Sequence, residues 1–257
     1  MREPQVVGQT TSVSRFFVSR IETHKSVGQD MSTLINEPFH EEEATSSCVG
    51  MTPYTFPKAE NTQTGESVDY VPSSDKQWYV LRASFGREEN VSQYLTADGT
   101  YNYVARRYTW IADRHGHPRQ HLESLLPSIL FAYATRQKVE QYVRHTPTLP
   151  YITYYYDHFR VEVDYRNPPL VIPNGQMENF IRATYNHDEH LRLVQPGQCR
   201  FKDNQIVQVI AGPLKGVIGR IARISRQSCL VVSLPNIGLF STAYIPSWQL
   251  SPVEINM

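Results

Sequence analysis

The hydrophobic pattern divides the chain into a polar beginning and a β-rich remainder. Residues 1–75 show no sustained strand or helix period and are rich in Ser, Thr, Gln and Glu, a composition typical of disordered segments. From residue 76 onward, runs of β-branched and aromatic residues recur, and the first of them covers 77–83. We therefore predict a disordered tail over 1–75 and folded structure after it.

The next hundred residues alternate between strand and helix patterns. Val91, Tyr94 and Leu95 follow the first predicted strand with the spacing of one helix face. An aromatic run over 101–110 and an apolar run over 125–133 predict further strands, separated by a polar loop. The mixture of helix and strand patterns predicts an α+β domain.

A helix pattern closes this region. Met177, Phe180, Ile181 and Tyr185 recur at helical spacing, which predicts an amphipathic helix with one buried face. The insert before it, 145–173, is rich in proline and tyrosine and is predicted to be irregular.

The C-terminal part is dense in β-branched residues that are interrupted by glycine and proline. Val207 and Val209 lead into a Gly-Pro turn, and a second β-branched run begins after Lys215. Interior glycine and proline disfavour a helix here, so we predict that 201–257 forms a small β-barrel with no helical alternative. The segment 192–200 contains Pro-Gly and is predicted to be a flexible linker.

Charge is unevenly distributed, although the chain is neutral overall. Residues 1–75 carry five Lys or Arg against eleven Asp or Glu, whereas 76–140 carry nine against six and 200–257 carry six against two. A basic excess in the parts predicted to fold is typical of proteins that work near nucleic acid, although a solvated surface explains much of it. The arginines near the first strand and the following hairpin are Arg82, Arg87, Arg106, Arg107, Arg114 and Arg119.

No pattern of catalytic residues or metal ligands is present in the sequence. The cysteines at 48, 199 and 229 are scattered and form neither a metal spacing nor a disulfide framework. The histidines of 115–121 and 187–190 lack the four ligands of a structural zinc site and the spacing of a helical zinc protease motif. Neither a phosphate-binding loop nor a nucleophile elbow is found. We therefore expect no enzymatic activity, no cofactor and no metal.

The sequence also lacks signals for membrane insertion or export. No apolar run approaches the length that spans a bilayer. The beginning of the chain has no apolar core of a signal peptide. We therefore expect a cytoplasmic protein without a membrane partner.

Three motifs together resemble the NusG family of transcription factors. Gln77–Ala83 contains Trp-Tyr-x-Leu, and Leu125–Tyr133 is an apolar strand kinked by proline; both resemble the NusG N-terminal (NGN) domain. Val207–Gly219 resembles the KOW motif. The resemblance covers roughly 78–254 and leaves the first 75 residues or so outside it. The polar and acidic tail therefore has no counterpart in this resemblance.

Within that family the chain looks most like the UpxY-type specialised antiterminators. The segments that carry this likeness are Tyr154–His158 and Pro173–Ile181. The resemblance implies an NGN-like domain over 76–191, with an antiparallel sheet flanked by helices. A linker over 192–200 and a small SH3-like KOW barrel over 201–257 would follow it.

The resemblance also implies a surface that binds RNA polymerase. Leu125, Leu126, Pro127 and Ile129 lie on the kinked strand, which carries apolar side chains on both faces. One face would fill the core, and the other would pack on the clamp helices of the largest polymerase subunit. The alternative is that the domain's own helices cover both faces. On the first interpretation, Leu126→Glu abolishes polymerase binding while the isolated domain stays folded.

Nucleic-acid contacts are implied at two places. Arg82 and Arg87 are candidates for the non-template DNA strand, because guanidinium groups suit phosphate and nearby Phe85 can stack on a base; ordinary surface arginines are an equally good interpretation. The KOW segment could contact nucleic acid, a ribosomal protein or the termination factor Rho. The residues of its motif are Gly212, Pro213, Lys215, Gly216 and Gly219.

The function implied by the resemblance is antitermination. The protein would bind RNA polymerase and promote processive elongation of one operon, for surface polysaccharide synthesis in the UpxY case. A general NusG-type elongation factor is the alternative within the family. A ribosome-associated KOW protein that binds RNA is the alternative from another class.

Overall fold

The computed structural model describes residues 55–62, 64–149, 151–161, 166–224 and 226–253. The first half of these residues forms a mixed α+β domain. Its strands and helices are β1 Ala59–Glu60, β2 Ser67–Val68, β3 Gln77–Ala83, α1 Glu88–Ala97, β4 Tyr101–Tyr103, β5 Arg106–Ala112, β6 Pro118–Ser124, β7 Ile129–Ala134, α2 Arg136–His145, β8 Ile152–Tyr154, β9 Val171–Ile172 and α3 Asn174–Thr184. None of the helices in the described ranges is both long enough and apolar enough to cross a membrane.

The remaining strands form a C-terminal sheet. They are β10 Arg192–Val194, β11 Arg200–Val209, β12 Ile218–Ile224, β13 Gln227–Leu234, β14 Gly238–Tyr244 and β15 Leu250–Pro252. All neighbours pair antiparallel in the order β10-β14-β13-β12-β11-β15. The prediction of strands rather than helices over this region is confirmed.

Strand β3 lies inside a second sheet, the central sheet, in the order β4-β7-β3-β8, with β9 also paired to β3. All of these pairs are antiparallel. Both faces of β3 are buried, because Trp78 and Val80 pack under α3 while Tyr79 and Leu81 pack under α1 and α2. Such a strand reads as continuously apolar instead of alternating. The prediction of an α+β fold is confirmed.

The prediction of disorder up to residue 75 is wrong for its last part. Residues 1–54 lie outside the described residues, but β1 and β2 form a short antiparallel pair that packs near α1. Tyr70 then lies in an aromatic cluster, 5.6 Å from the ring of Trp78 and 4.9 Å from that of Tyr133. Its hydroxyl donates to Glu178 Oε1 at 3.0 Å. Long-range aromatic contacts order this segment despite its polar composition.

The segment 192–200 differs from the expected linker. Its first part is strand β10, which pairs with β14, and its last residue begins β11. Only the turn at Pro196–Gln198 stands between these strands. The chain therefore enters the C-terminal sheet as soon as it leaves the α+β domain, and the backbone groups of β10 are held by a ladder of hydrogen bonds.

Helix α3 joins the two domains. The ring of Phe180 lies 4.8 Å from that of Phe240 on β14, and Ala183 packs into the core of the C-terminal sheet. Asn179 makes two hydrogen bonds to the backbone of Ile218, donating to its oxygen at 2.7 Å and accepting from its N–H at 2.8 Å. The C-terminal sheet is thus docked on α3, whereas the sequence predicted a domain on a mobile tether.

Replacement of Tyr70 tests whether the 55–75 segment stabilises the fold. We expect Tyr70→Ala to lower the free energy of unfolding by about 3 kcal/mol, because an aromatic side chain leaves a packed cluster. Tyr70→Phe, which loses only the bond to Glu178, is expected to cost about 1 kcal/mol. Chemical denaturation of the full chain gives both values. Equal stability of Tyr70→Ala and the unmodified chain would contradict the packing.

Replacement of Asn179 tests the docking of the C-terminal sheet. Asn179→Ala removes both hydrogen bonds to Ile218 and is expected to weaken docking by about 2 kcal/mol, because the backbone groups left behind are partly buried. Nitrogen-15 relaxation of the full chain then reports faster, separate tumbling of the two domains. Asn90→Ala, at an exposed position of α1, is the control and leaves the relaxation unchanged. Unchanged tumbling in Asn179→Ala would show that these bonds do not hold the interface.

Candidate nucleic-acid interface

A short loop between β3 and α1 presents an exposed aromatic side chain. The loop runs from Ser84 to Arg87, and the side chain of Phe85 is 87% exposed. The start of the loop is held, since Ala83 N–H donates to Ser128 O at 2.9 Å and Ser84 N–H donates to Tyr151 O at 2.9 Å, and its last residue Arg87 accepts from Val91 N–H at 3.1 Å. The sheet therefore fixes where Phe85 projects.

The backbone of this loop is strained. Phe85 has φ 65° and ψ 28°, in the left-handed region that residues with a Cβ seldom occupy. Gly86 has φ 65° as well, and Ser128 in the adjoining turn has φ 65°. Non-glycine residues held in this region cost of order 1–3 kcal/mol and cluster at functional sites. An aromatic ring exposed by a strained backbone is consistent with a binding role.

The side chain of Arg87 lies near the exposed ring, and Arg82 is on the strand that leads into the loop. The guanidinium carbon of Arg87 lies 4.7 Å from the centre of the Tyr151 ring and 5.8 Å from that of Phe85. Arg82 is exposed on β3, where its register partners are Ile129 on β7 and Thr153 on β8. Aromatic faces next to guanidinium groups suit a single-stranded nucleic acid, because bases stack on the rings while cations meet the phosphates. We call Arg82, Phe85, Arg87 and Tyr151 the aromatic-arginine surface.

The predicted polymerase segment adjoins this surface, but the reasoning behind part of it is wrong. Leu125 and Leu126 are only 7% and 5% exposed and belong to the core cluster under α3. Pro127 is exposed and Ile129 is half-buried. The kink is a turn in which Ile129 N–H donates to Leu126 O at 3.1 Å. Because helix α3 and the C-terminal sheet share the cluster that buries both leucines, Leu126→Glu is expected to unfold this core, and Pro127 and Ile129 remain the accessible positions.

The hairpin β5–β6 carries the other basic residues near the first strand. Arg106 is paired with Glu89, and Arg107 Nε donates to Glu123 Oε1 at 2.8 Å. Arg114 and Arg119 are exposed near the tip of the hairpin. Arg106 and Arg107 therefore form ion pairs near the base of the hairpin, whereas Arg114 and Arg119 are exposed to solvent.

The KOW segment lies away from β3, on the face of the C-terminal sheet that meets α3. Arg182 Nη1 donates to Gly216 O at 3.2 Å, and Asn186 Nδ2 donates to Pro213 O at 2.9 Å. Lys215 between them is exposed. The structure thus places Ile129 opposite Arg82 on the neighbouring strand, whereas residues 213–216 lie beside α3 and the turn that follows it.

Two KOW glycines are required by close approach. A Cβ at Gly216, where φ is 88°, would lie 2.7 Å from Arg182 Nη1. A Cβ at Gly219 would lie 2.5 Å from the backbone oxygen of Val231 on the neighbouring strand. Gly212 has φ 87° and needs glycine for its turn.

Sequence reasoning missed Tyr151 and the strain at Phe85. Tyr151 lies in the Pro/Tyr-rich insert, whose composition predicted only irregular structure. The position of its ring under Arg87 depends on the pairing of β8 with β3, which no local pattern reveals.

Comparison with models of known protein families gives no match, and comparison with proteins of established function gives none either.

Substitutions in the aromatic-arginine surface separate phosphate contacts from stacking. In binding to a single-stranded oligonucleotide, each of Arg82→Ala and Arg87→Ala is expected to lower the salt-dependence slope by about 0.7, because one phosphate contact is lost. Phe85→Ala is expected to weaken binding by about 1–3 kcal/mol without changing the slope, because stacking releases no counterion. Fluorescence anisotropy over a salt series measures both quantities.

Arg200→Ala is the matched control, since Arg200 is an exposed arginine of the C-terminal sheet. Its affinity and slope are expected to equal those of the unmodified chain. If Arg82→Ala and Arg87→Ala behave like Arg200→Ala, the two arginines are ordinary surface residues.

Proposed function

We propose that this chain is a cytoplasmic NusG-like antitermination factor that binds RNA polymerase and promotes processive elongation of one operon. The described α+β domain followed by a small antiparallel sheet is compatible with an NGN domain followed by a KOW domain. Three sequence motifs that resemble those of that family lie in these two domains. The chain acts in this proposal by binding alone, without chemistry of its own.

The observation that carries the proposal is the exposed, strained Phe85 between Arg82 and Arg87. A factor that rides on a transcribing polymerase meets the single non-template strand at the edge of the open duplex. Exposed aromatic and guanidinium groups at a fixed position suit such a strand, since stacking tolerates any base and cations neutralise phosphate. The turn at Pro127 adjoins this surface, so one end of the central sheet presents both an apolar edge and a nucleic-acid site.

The docked C-terminal sheet affects how polymerase can bind. Phe240 and Leu234 from this sheet belong to the same core cluster as Leu125 and Leu126. Polymerase contact in this proposal therefore uses the accessible residues Pro127 and Ile129, or it follows release of the C-terminal sheet from α3. The strand structure of β11–β15 in the docked state supports release as an intact sheet, without refolding.

Transcription through a terminator tests the proposal. Purified chain added to RNA polymerase of the same organism, on a template bearing the leader of its own operon, is expected to increase readthrough. Pro127→Glu is expected to reduce binding to polymerase, because a charge placed in an apolar contact loses its hydration. Arg82→Ala with Arg87→Ala is expected to leave polymerase binding intact but lower readthrough. Arg200→Ala serves as the control that keeps both.

A full chain that neither binds polymerase nor changes readthrough on that template would contradict the proposal. Binding of ribosomal RNA instead, with no effect on transcription, would favour the ribosome-associated alternative. Equal readthrough on unrelated templates would favour a general elongation factor.

A further inference from the structure

A polar cleft of about 660 Å³ opens between the start of α1, the base of the β5–β6 hairpin and the end of α3. Three of the residues that line it each carry a buried side-chain atom that lacks a hydrogen-bond partner among the described residues: Glu88 Oε2, Ser124 Oγ and His187 Nδ1. Buried polar groups are nearly always paired, so each exception needs an explanation. Their convergence on one cleft indicates that a ligand supplies the missing partner.

Glu88 is the strongest of the three signals. It is only 8% exposed, and a buried carboxylate without a counter-charge is costly. The cations near it already have other carboxylate partners, since Arg106 pairs with Glu89 and Lys58 Nζ lies 3.3 Å from Asp69 Oδ1. The next residue in the chain, Arg87, lies over the Tyr151 ring. Among the described residues no cation forms an ion pair with Glu88, which lies in the first turn of α1, where the positive end of the helix favours a carboxylate.

His187 also lines the cleft. Its backbone is held in a left-handed conformation with φ 53°, and its N–H donates to Thr184 O at 3.1 Å. Burial lowers the pKa of His187, and this effect outweighs the neighbouring backbone oxygen of Arg106, which raises it. The imidazole is therefore uncharged at neutral pH and can accept a hydrogen bond from a donor in the cleft.

The wall behind Glu88 is rigid. Asn102, 3% exposed, accepts from Ser92 Oγ at 2.6 Å and donates to Thr96 Oγ1 at 3.0 Å and to the backbone oxygen of Ser92 at 3.2 Å. This network fixes α1 against β4. A preformed cleft loses little conformational freedom when it binds a small group.

We propose that this cleft is a binding site for a guanidinium group, with Glu88 as its anionic partner and Ser124 and His187 as acceptors. A guanidinium has five N–H donors and no acceptor, which matches a carboxylate, a hydroxyl and a neutral imidazole. It also stacks on aromatic rings, and Tyr103 and Tyr185 line the same cleft. The group comes from an arginine of a partner protein or from a small guanidinium compound. Gly86 and Glu88 of this cleft flank Arg87 along the chain, so the cleft adjoins the aromatic-arginine surface but uses different residues.

Butylguanidinium is the probe, with butylammonium as its matched cation. Nuclear magnetic resonance of the full chain is expected to show shifts at residues 86–92 and at His187 with butylguanidinium, and much weaker binding of butylammonium. Glu88→Gln is expected to weaken binding at least about tenfold, because it removes a charge-assisted hydrogen bond. Glu60→Gln removes an exposed charge at the same cleft and is expected to change affinity by less than about twofold, since water screens it.

Thermal unfolding without ligand distinguishes a binding role from a structural one. Glu88→Gln is expected to unfold at the same or a higher temperature, because it removes a buried charge that the fold does not pair. A lower unfolding temperature would assign Glu88 to the fold and overturn the proposal. Equal binding of the two probes, no binding, or unchanged affinity in Glu88→Gln would overturn it too.

A comparison of an arginine peptide with butylguanidinium identifies the source of the guanidinium group. Acetyl-Gly-Arg-Gly-amide binding about tenfold tighter than butylguanidinium would assign the site to an arginine on a partner protein, because flanking backbone adds contacts. Equal affinities would assign it to a small guanidinium compound. Both results support the guanidinium site, and the corresponding lysine peptide is the control.

Discussion

The rest of the structure depends on the burial of β3 from both sides. Trp78 and Val80 on one face and Leu81 on the other are fully buried. α3 and the aromatic cluster of the 55–75 segment need the first face, while α1 and α2 need the second. The strand's end also sets the position of Phe85, since the loop leaves β3 directly. Packing on two sides makes this strand rigid, and that rigidity allows a strained loop to persist at its end.

Helix α3 extends this arrangement to the second domain. Met177 and Ile181 fill the core of the α+β domain, Phe180 reaches Phe240, and Ala183 enters the core of the C-terminal sheet. One amphipathic helix therefore contributes to two cores. The segment that contains Gly216 lies against the same helix, where Arg182 donates to the Gly216 oxygen.

The sequence predicted elements whose signals are local, and it failed where distant parts of the chain meet. The spacing of Met177, Phe180 and Ile181 gave a correct helix, and β-branched runs gave the C-terminal strands. The apolar character of Leu125 and Leu126 suggested an exposed face. The sequence of one strand cannot show whether other parts of the fold bury its apolar residues. The 55–75 segment is ordered because Tyr70 packs against Trp78 and Tyr133. The polar composition of the segment gives no sign of this long-range contact. Glu88, Ser124 and His187 are far apart in the sequence, so only the fold shows that these three residues line one cleft.

The bonds between α3 and the C-terminal sheet are made largely to main-chain atoms. Asn179 contacts the N–H and oxygen of Ile218, while Arg182 and Asn186 contact the oxygens of Gly216 and Pro213. Main-chain atoms are the same whichever side chain is present. The side chains at positions 213 and 218 can therefore change during evolution while these contacts between α3 and the C-terminal sheet are kept. Glycine at 216 is the exception, since any Cβ there meets Arg182. Among diverged relatives, we therefore expect the domain pairing to be inherited through Asn179 and Arg182 of α3, Asn186 in the turn after it, and a single glycine.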